Sequence, residues 1–144
     1  MIEAQNVKSY TVLAPISLNS AAGTSLDVDT KGAAYAVFTV SFGVIGGDAT
    51  VLRVTECETT GGTFTAITGL TCSGDTGNGR LPQTTDAGTL FKFYLPINGQ
   101  RKRYLNCEIT TGATTLVSIT CDLYRLEQSP SSATEQGVAG YLMI

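Results

Sequence analysis

Residues 117–123 read VSITCDL, and every second side chain in this stretch is apolar. The apolar side chains are Val117, Ile119, Cys121 and Leu123, with Ser, Thr and Asp between them. In a β-strand, successive side chains point to opposite faces of the sheet, so this alternation indicates one buried face and one solvated face. The stretch therefore predicts a strand of a sheet that covers a hydrophobic core.

The same period of two recurs along most of the chain, and Gly- and Asn-containing turn signals separate the runs. No stretch keeps a helical stripe of apolar residues over the ~10 residues that a stable helix needs. The pattern predicts an all-β fold, an antiparallel β-sandwich of about eight short strands, of which the jelly roll is one form. The predicted strands are Ser9–Leu13, Ser25–Asp27, Tyr35–Gly43, Thr50–Glu58, Phe64–Ile67, Leu90–Leu95, Tyr104–Thr110 and Thr115–Arg125.

The chain divides by composition into a sandwich domain, residues 1–127, and a linker with an apolar C-terminal arm, residues 128–144. The arm ends in Tyr141, Leu142, Met143 and Ile144. A free apolar tail in water is an aggregation hazard, so we expect it to be covered. Two interpretations stay open: the tail adds a last strand to its own sandwich, or it extends as an arm onto a neighbouring subunit.

The four cysteines are predicted to be free thiols. Tyr104–Thr110 and Thr115–Arg125 are interpreted as a hairpin, in which Cys107 and Cys121 stand four residues apart along the ladder. Four residues correspond to roughly 13 Å at ~3.3 Å per residue, whereas a disulfide needs Cα atoms within about 7 Å. The cysteine spacings also match no zinc pattern, and the chain contains no His.

No catalytic site is expected. Without His, the usual Ser-His-Asp and Cys-His arrangements are excluded. Two carboxylate pairs remain, Glu56 with Glu58 and Asp27 with Asp29, and we interpret both as solvated residues on strands. The loop that holds Asp75, with Asp86 soon after it, has too few carboxylates for a calcium site. The protein is therefore predicted to be no enzyme and to have no catalytic residues, no metal and no cofactor.

The net charge of −3 argues against nucleic-acid binding, because such proteins usually present a basic face. The longest basic run is Arg101-Lys102-Arg103, which we interpret as a solvated turn or a protein contact. No apolar window is long enough for a transmembrane helix, and the first residues lack the pattern of a signal peptide. We therefore expect folding in the cytosol and no membrane partner.

Three stretches of the chain form a recognisable set: residues 26–40 (LDVDTKGAAYAVFTV), residues 52–58 with 64–69, and residues 101–105 (RKRYL), which lead into the last two strands. Together they resemble small proteins that are encoded beside the major capsid gene in tailed bacteriophages. The resemblance implies a capsid decoration, or cement, protein on the outside of the virion, made in the cytoplasm of the bacterial host. It implies the major capsid protein as partner and a homotrimer as the form of the protein.

On this interpretation, Arg101, Lys102 and Arg103 contact an acidic capsid surface, and Tyr141, Leu142, Met143 and Ile144 form an apolar anchor. Two alternatives are kept. The first is a carbohydrate- or receptor-binding module in which the solvent-facing Tyr94, Tyr104 and Tyr124 form a stacking platform. The second is a neck or tail structural protein of the same virion.

Overall fold

A computed structural model describes residues 6–127 and 132–140 of the chain. It is all-β, with eight strands in two packed four-stranded antiparallel sheets, so the predicted β-sandwich is confirmed. The strands are β1 (Val7–Leu18), β2 (Val28–Asp29), β3 (Tyr35–Ile45), β4 (Val51–Cys57), β5 (Thr65–Thr71), β6 (Leu90–Pro96), β7 (Tyr104–Thr110) and β8 (Thr115–Tyr124). No helix long and apolar enough to cross a bilayer occurs in these two ranges.

The strand order shows how the chain is wound. Sheet 1 runs β1-β8-β3-β6 and sheet 2 runs β2-β7-β4-β5. The chain folds as one long hairpin whose tip is the β4–β5 turn. Its ladders pair β1 with β8, β2 with β7, β3 with β6 and β4 with β5. Rolling this hairpin adds the pairings β3 with β8 and β4 with β7. This is the winding of a jelly roll.

The predicted hairpin of β7 and β8 is wrong. These strands belong to different sheets, so residues 111–114 cross from one layer of the sandwich to the other. The Asn98-Gly99 turn forms, since the Arg101 N–H donates to the Asn98 carbonyl at 2.9 Å, but β6 and β7 also lie in different sheets. Of the connections between consecutive strands, only β4–β5 stays within a sheet, because rolling the long hairpin places every other consecutive pair in opposite layers.

The second predicted strand is misplaced. Residues 25–27 form no strand, and the two-residue strand Val28–Asp29 follows them, pairing with Leu105 and Tyr104 of β7. Ser25 is instead held through its side chain, whose hydroxyl donates to the Asn106 carboxamide oxygen. The strand lies at the edge of sheet 2, where only β7 supplies hydrogen bonds.

The core lies between the sheets and contains the side chains that alternation assigned to it. In β8, Val117, Ile119, Cys121 and Leu123 are buried while Leu116 and Thr120 are exposed. Each buried side chain of this size stabilises the fold by about 1.5–3 kcal/mol. The large core side chains with almost no exposure include Phe38, Leu52, Leu105, Ile109, Ile119 and Leu123.

All four cysteines are free, as predicted, although the hairpin used in that prediction does not form, and all four are buried. Cys107 of β7 and Cys121 of β8 face the core from opposite sheets, and neither has any exposed surface. Burial raises the pKa of both thiols well above the ordinary value, because a thiolate loses its hydration inside the core. These thiols therefore act as small apolar groups in the folded protein.

The described C-terminal segment, residues 132–140, forms turns and contains no strand. It contacts the edge of sheet 1, where the Ser9 N–H of β1 donates to the Gln136 carbonyl at 2.7 Å. Gly137 has a φ of +77° and lies so close that a Cβ there would overlap the Ser9 carbonyl oxygen. This part of the chain therefore covers one outward-facing amide of an edge strand. Residues 141–144 lie outside the described residues.

Two of the crossing connections pack tightly on each other at one end of the sandwich. A Cβ on Gly112, in the β7–β8 connection, would overlap the carbonyl oxygen of Asp48, in the β3–β4 connection. Gly46 approaches the other side of this contact, and its N–H donates to the Thr114 carbonyl at 2.8 Å. Glycine is needed at residue 112 because backbone atoms, which cannot rotate away, occupy the space of a side chain.

We expect Gly112→Ala to lower the free energy of unfolding by about 1–3 kcal/mol, because the added methyl group overpacks the crossing. Gly99→Ala is the matched control: nothing lies within 4 Å of a Cβ there, and its φ is not in the left-handed region. The control should change stability by no more than about 0.5 kcal/mol. Urea unfolding of both variants measures the difference, and equal midpoints would contradict the close approach.

Candidate functional site

Three connections meet at the end of the sandwich opposite Gly112. Residues 30–34 join β2 to β3, residues 97–103 join β6 to β7, and residues 125–127 follow β8. They adjoin because β3 pairs with both β6 and β8, with Tyr35 opposite both Pro96 and Tyr124. A cleft of about 460 Å³ opens between them. We call this part of the molecule the basic end.

The basic end concentrates positive charge in a chain that is acidic as a whole. It holds five of the nine Lys and Arg residues, and all five line the cleft. Three of them, residues 101–103, are consecutive in the sequence, whereas Lys31 and Arg125 come from other connections. The five cations are Lys31, Arg101, Lys102, Arg103 and Arg125.

Backbone hydrogen bonds hold the three connections to one another. The Arg103 carbonyl accepts from the Thr30 N–H at 3.0 Å and from the Thr30 hydroxyl at 2.6 Å. The Gly32 carbonyl accepts from the Glu127 N–H at 2.8 Å. Gly32 has a φ of +81°, a conformation that glycine adopts at little cost. These main-chain contacts therefore form much of the scaffold of the basic end.

Arg101 carries an internal partner, Glu56. Glu56 of β4 stands opposite the core residue Leu105 of β7, so its side chain points to the inner side of the sheet and is only 12% exposed. Its carboxylate accepts from the Lys102 N–H at 3.1 Å and lies 3.6 Å from the Arg101 guanidinium. The interpretation of Glu56 as a solvated carboxylate is wrong, because its side chain faces the inner side of sheet 2.

Arg103 is also paired within the chain. Its Nε and Nη2 donate to the two carboxylate oxygens of Asp29 at 2.9 and 2.8 Å, and its guanidinium lies 5.1 Å from the Tyr104 ring centre. The Arg103 hydrogen bonds hold the pKa of Asp29 below its ordinary value, and a bond from the Lys31 N–H acts in the same direction. This pair therefore stays charged at neutral pH.

The other three cations of the basic end have no carboxylate within 4 Å among the residues that the structure describes. They are Lys31, Lys102 and Arg125. Arg125 instead places its guanidinium 5.5 Å from the centre of the Tyr35 ring. Arg125 has a φ of +51°, a backbone conformation that residues other than Gly and Asn seldom adopt. Two exposed carboxylates, Glu58 and Glu127, also line the cleft.

A band of three tyrosines crosses the outer face of sheet 1 beside the basic end. Tyr35 of β3 and Tyr124 of β8 are paired across the sheet, with ring centres 6.1 Å apart. Tyr94 of β6 lies diagonally next to Tyr35 and is 67% exposed. Partial burial, followed by the charge of Asp122, raises the pKa of Tyr124. We call Tyr35, Tyr94 and Tyr124 the tyrosine band.

The predicted platform of Tyr94, Tyr104 and Tyr124 is therefore wrong in one member. Tyr104 belongs to β7 and lies on sheet 2, away from the other two. The third member is Tyr35. The alternation of β3 contains the signal for it, because Tyr35 has the opposite parity to the buried Phe38, Val40 and Phe42. What alternation does not show is that β3 lies between β6 and β8.

Two further carboxylates that the sequence analysis named, Asp27 and Asp86, have partners within the protein. Asp27 accepts hydrogen bonds from the Thr60 hydroxyl, the Gly61 N–H and the Asn106 carboxamide, at 2.9–3.2 Å. Asp86 is buried and accepts from two nitrogens of Arg80 at 2.5 Å, which holds its pKa below the ordinary value. Over residues 6–127 and 132–140, no three His, Cys, Asp or Glu side chains form a group that would hold a metal ion.

The structure describes only one of the two predicted groups of contact residues. Arg101, Lys102 and Arg103 line one cleft, whereas Tyr141, Leu142, Met143 and Ile144 lie outside the described residues. The structure adds Lys31 and Arg125 to this cleft, and it places the tyrosine band beside the cleft. No protein-family model matches the chain, and no curated protein matches it either.

We expect Glu56→Gln to lower the free energy of unfolding by about 1–2 kcal/mol, because it weakens the hydrogen bond to Lys102 and the ion pair with Arg101 at a nearly buried position. Glu58→Gln, two residues along the chain and exposed, is the matched control and should change stability by less than about 0.5 kcal/mol. Urea unfolding at neutral pH compares the two variants. Equal effects would contradict a structural role for Glu56.

Proposed function

We propose that this protein is a docking module without catalytic activity, which binds the outer surface of a phage capsid and cements neighbouring major capsid subunits. The observation that carries the proposal is the continuous exposed surface made by the basic end and the tyrosine band. Arg125 joins the two, because it lines the cleft and stacks on Tyr35. The choice of a capsid as partner depends on the resemblance of residues 26–125 to phage decoration proteins.

The composition of this surface fits a protein contact. Tyr and Arg are enriched in interfaces, because a large flat side chain covers much area while its polar atoms still find partners. Tyr94 and Tyr35 are exposed with no partner ring outside the band among the described residues. Charged residues at the rim of such a contact guide orientation and the rate of association more than affinity.

Cementing requires a stiff body that recognises the assembled shell. The rolled hairpin supplies stiffness, because its strands are tied to neighbours distant in sequence. A ligand that binds only the assembled state stabilises that state by mass action. Many copies on one shell add their effects, so contacts of ordinary size, about 1,600 Å² each, are sufficient. In this proposal the protein acts as a homotrimer, and Tyr141–Ile144 extend the contact as an apolar anchor.

The proposal is tested with shells of the major capsid protein encoded with this chain. We expect the full chain to sediment with mature shells at a fixed ratio, to ignore unassembled capsid subunits, and to raise the melting temperature of the shells. Tyr94→Ala should weaken binding by about tenfold, as for an exposed aromatic anchor. Leu90→Ala is the matched control, because Leu90 is 58% exposed and lies at the other end of β6. Shells that melt unchanged at saturating protein would refute cementing.

The tyrosine band also favours a second function, carbohydrate binding on a virion or cell surface. Tyrosine rings stack on the apolar faces of sugars, and Asp122 and Ser9 lie on the same outer face of sheet 1 as polar neighbours. We expect any glycan bound by the protein on an array to be lost with Tyr94→Ala and kept with Tyr104→Ala. An array without a signal for the unaltered chain would remove this function.

A further inference from the structure

We propose that the basic end binds a carboxylate-rich segment of the partner protein through Lys31, Lys102 and Arg125. The proposal rests on the proposed function and specifies the chemistry of its partner. It also divides the five cations of the cleft into two groups. Arg101 and Arg103 keep their internal partners, and the other three contact the incoming segment.

The internal ion pairs set this division. Arg103 makes two hydrogen bonds to Asp29, and Arg101 faces the nearly buried Glu56. A new partner for either guanidinium would have to replace a contact that already exists. Lys31, Lys102 and Arg125 have no carboxylate within 4 Å among the described residues, so a new carboxylate meets them without breaking an ion pair.

The main chain that carries the three cations is held in one arrangement by hydrogen bonds. The cations come from three connections that share hydrogen bonds, Thr30 to Arg103 and Glu127 to Gly32, and they line the same cleft. An arginine can hold a carboxylate with two parallel hydrogen bonds, whereas a lysine acts as a point charge. Stacking on Tyr35 limits the movement of the Arg125 guanidinium. The cleft therefore suits short acidic side chains arriving together.

Glu58 and Glu127 give the cleft its selectivity. Both carboxylates line it, so the cleft carries charges of both signs and is not uniformly basic. A nucleic-acid backbone carries regularly spaced charges and would place phosphates against these carboxylates, which is unfavourable. The carboxylates of an acidic peptide are carried on flexible side chains, which can turn away from Glu58 and Glu127. The net charge of −3 for the chain adds to the repulsion of long polyanions.

The backbone at Arg125 provides independent support. The left-handed conformation is unfavourable for a residue with a side chain, and glycine would relieve that cost. The turn needs no arginine, because its hydrogen bond runs between the Glu127 N–H and the Gly32 carbonyl. An arginine here is therefore explained by what its side chain contacts at the surface. Unusual backbone of this kind is most common at binding sites.

The first experiment measures binding of a fluorescein-labelled hexaglutamate peptide to the full chain by anisotropy, at about 50 mM salt. We expect saturable binding that weakens as salt rises. The double variant Lys31→Ala/Lys102→Ala should bind at least about tenfold more weakly, because two cations of the cleft are lost. Lys8→Ala/Lys92→Ala removes the same charge from β1 and β6 and should bind like the unaltered chain. No binding, or equal loss in both double variants, would overturn the proposal.

Arg125→Gly separates binding from folding. We expect it to unfold at the same or a higher urea concentration than the unaltered chain and to bind hexaglutamate several-fold more weakly. Unchanged peptide binding in this variant would overturn the role of Arg125. Competition by a single-stranded oligonucleotide or by inorganic phosphate at the same charge concentration would also overturn the proposal, because the cleft would then accept any anion.

Capsid shells distinguish this inference from the function on which it rests. If shells bind the unaltered chain and the Lys31→Ala/Lys102→Ala variant equally well, the cleft is not the contact, and the inference fails while cementing stands. If the unaltered chain binds hexaglutamate but ignores shells, cementing fails and the preference of the cleft for carboxylates stands.

Discussion

The pairing of β8 with β1 on one side and β3 on the other joins the two ends of the chain to its middle. Tyr124 lies opposite Val7 in one ladder and opposite Tyr35 in the other. Because neighbouring strands are antiparallel, every connection falls at one of two ends of the sandwich. The basic end is therefore a product of the winding: residues 30–34, 97–103 and 125–127 meet there only because sheet 1 has the order β1-β8-β3-β6.

The energetics of the basic end leave its charged surface open to other uses. Exposed ion pairs such as that of Arg103 with Asp29 contribute little to stability, whereas the core of the sandwich contains many fully buried side chains. Main-chain hydrogen bonds from Thr30 and Glu127 hold the connections in place. The side chains that face solvent at this end can consequently be selected for binding with little consequence for stability.

Much of the fold could be predicted from the sequence, because alternation reports which side chains share a face. Seven of the eight strands overlap predicted strands, although β1 and β5 run well beyond their predicted C-terminal ends. The missed strand, Val28–Asp29, is too short to show a period. Alternation and turn residues do not report which sheet a strand joins, so Asn98-Gly99 correctly predicts a turn and wrongly suggests a hairpin. In a jelly roll, neighbours along the chain are mostly not neighbours in a sheet.

The same limit applies to the site. A basic run in the sequence says nothing about which carboxylates the fold brings to it, and Glu56 and Asp29 reach Arg101 and Arg103 from two other strands. The partners of a charge therefore depend on strand order, which is a long-range property. Arg125 shows a second limit of the sequence. It follows the last residue of β8, and no pattern of side chains reveals its left-handed backbone conformation. Where the sequence pattern and the strand order disagree, the strand order decides which charged side chains remain available to a partner.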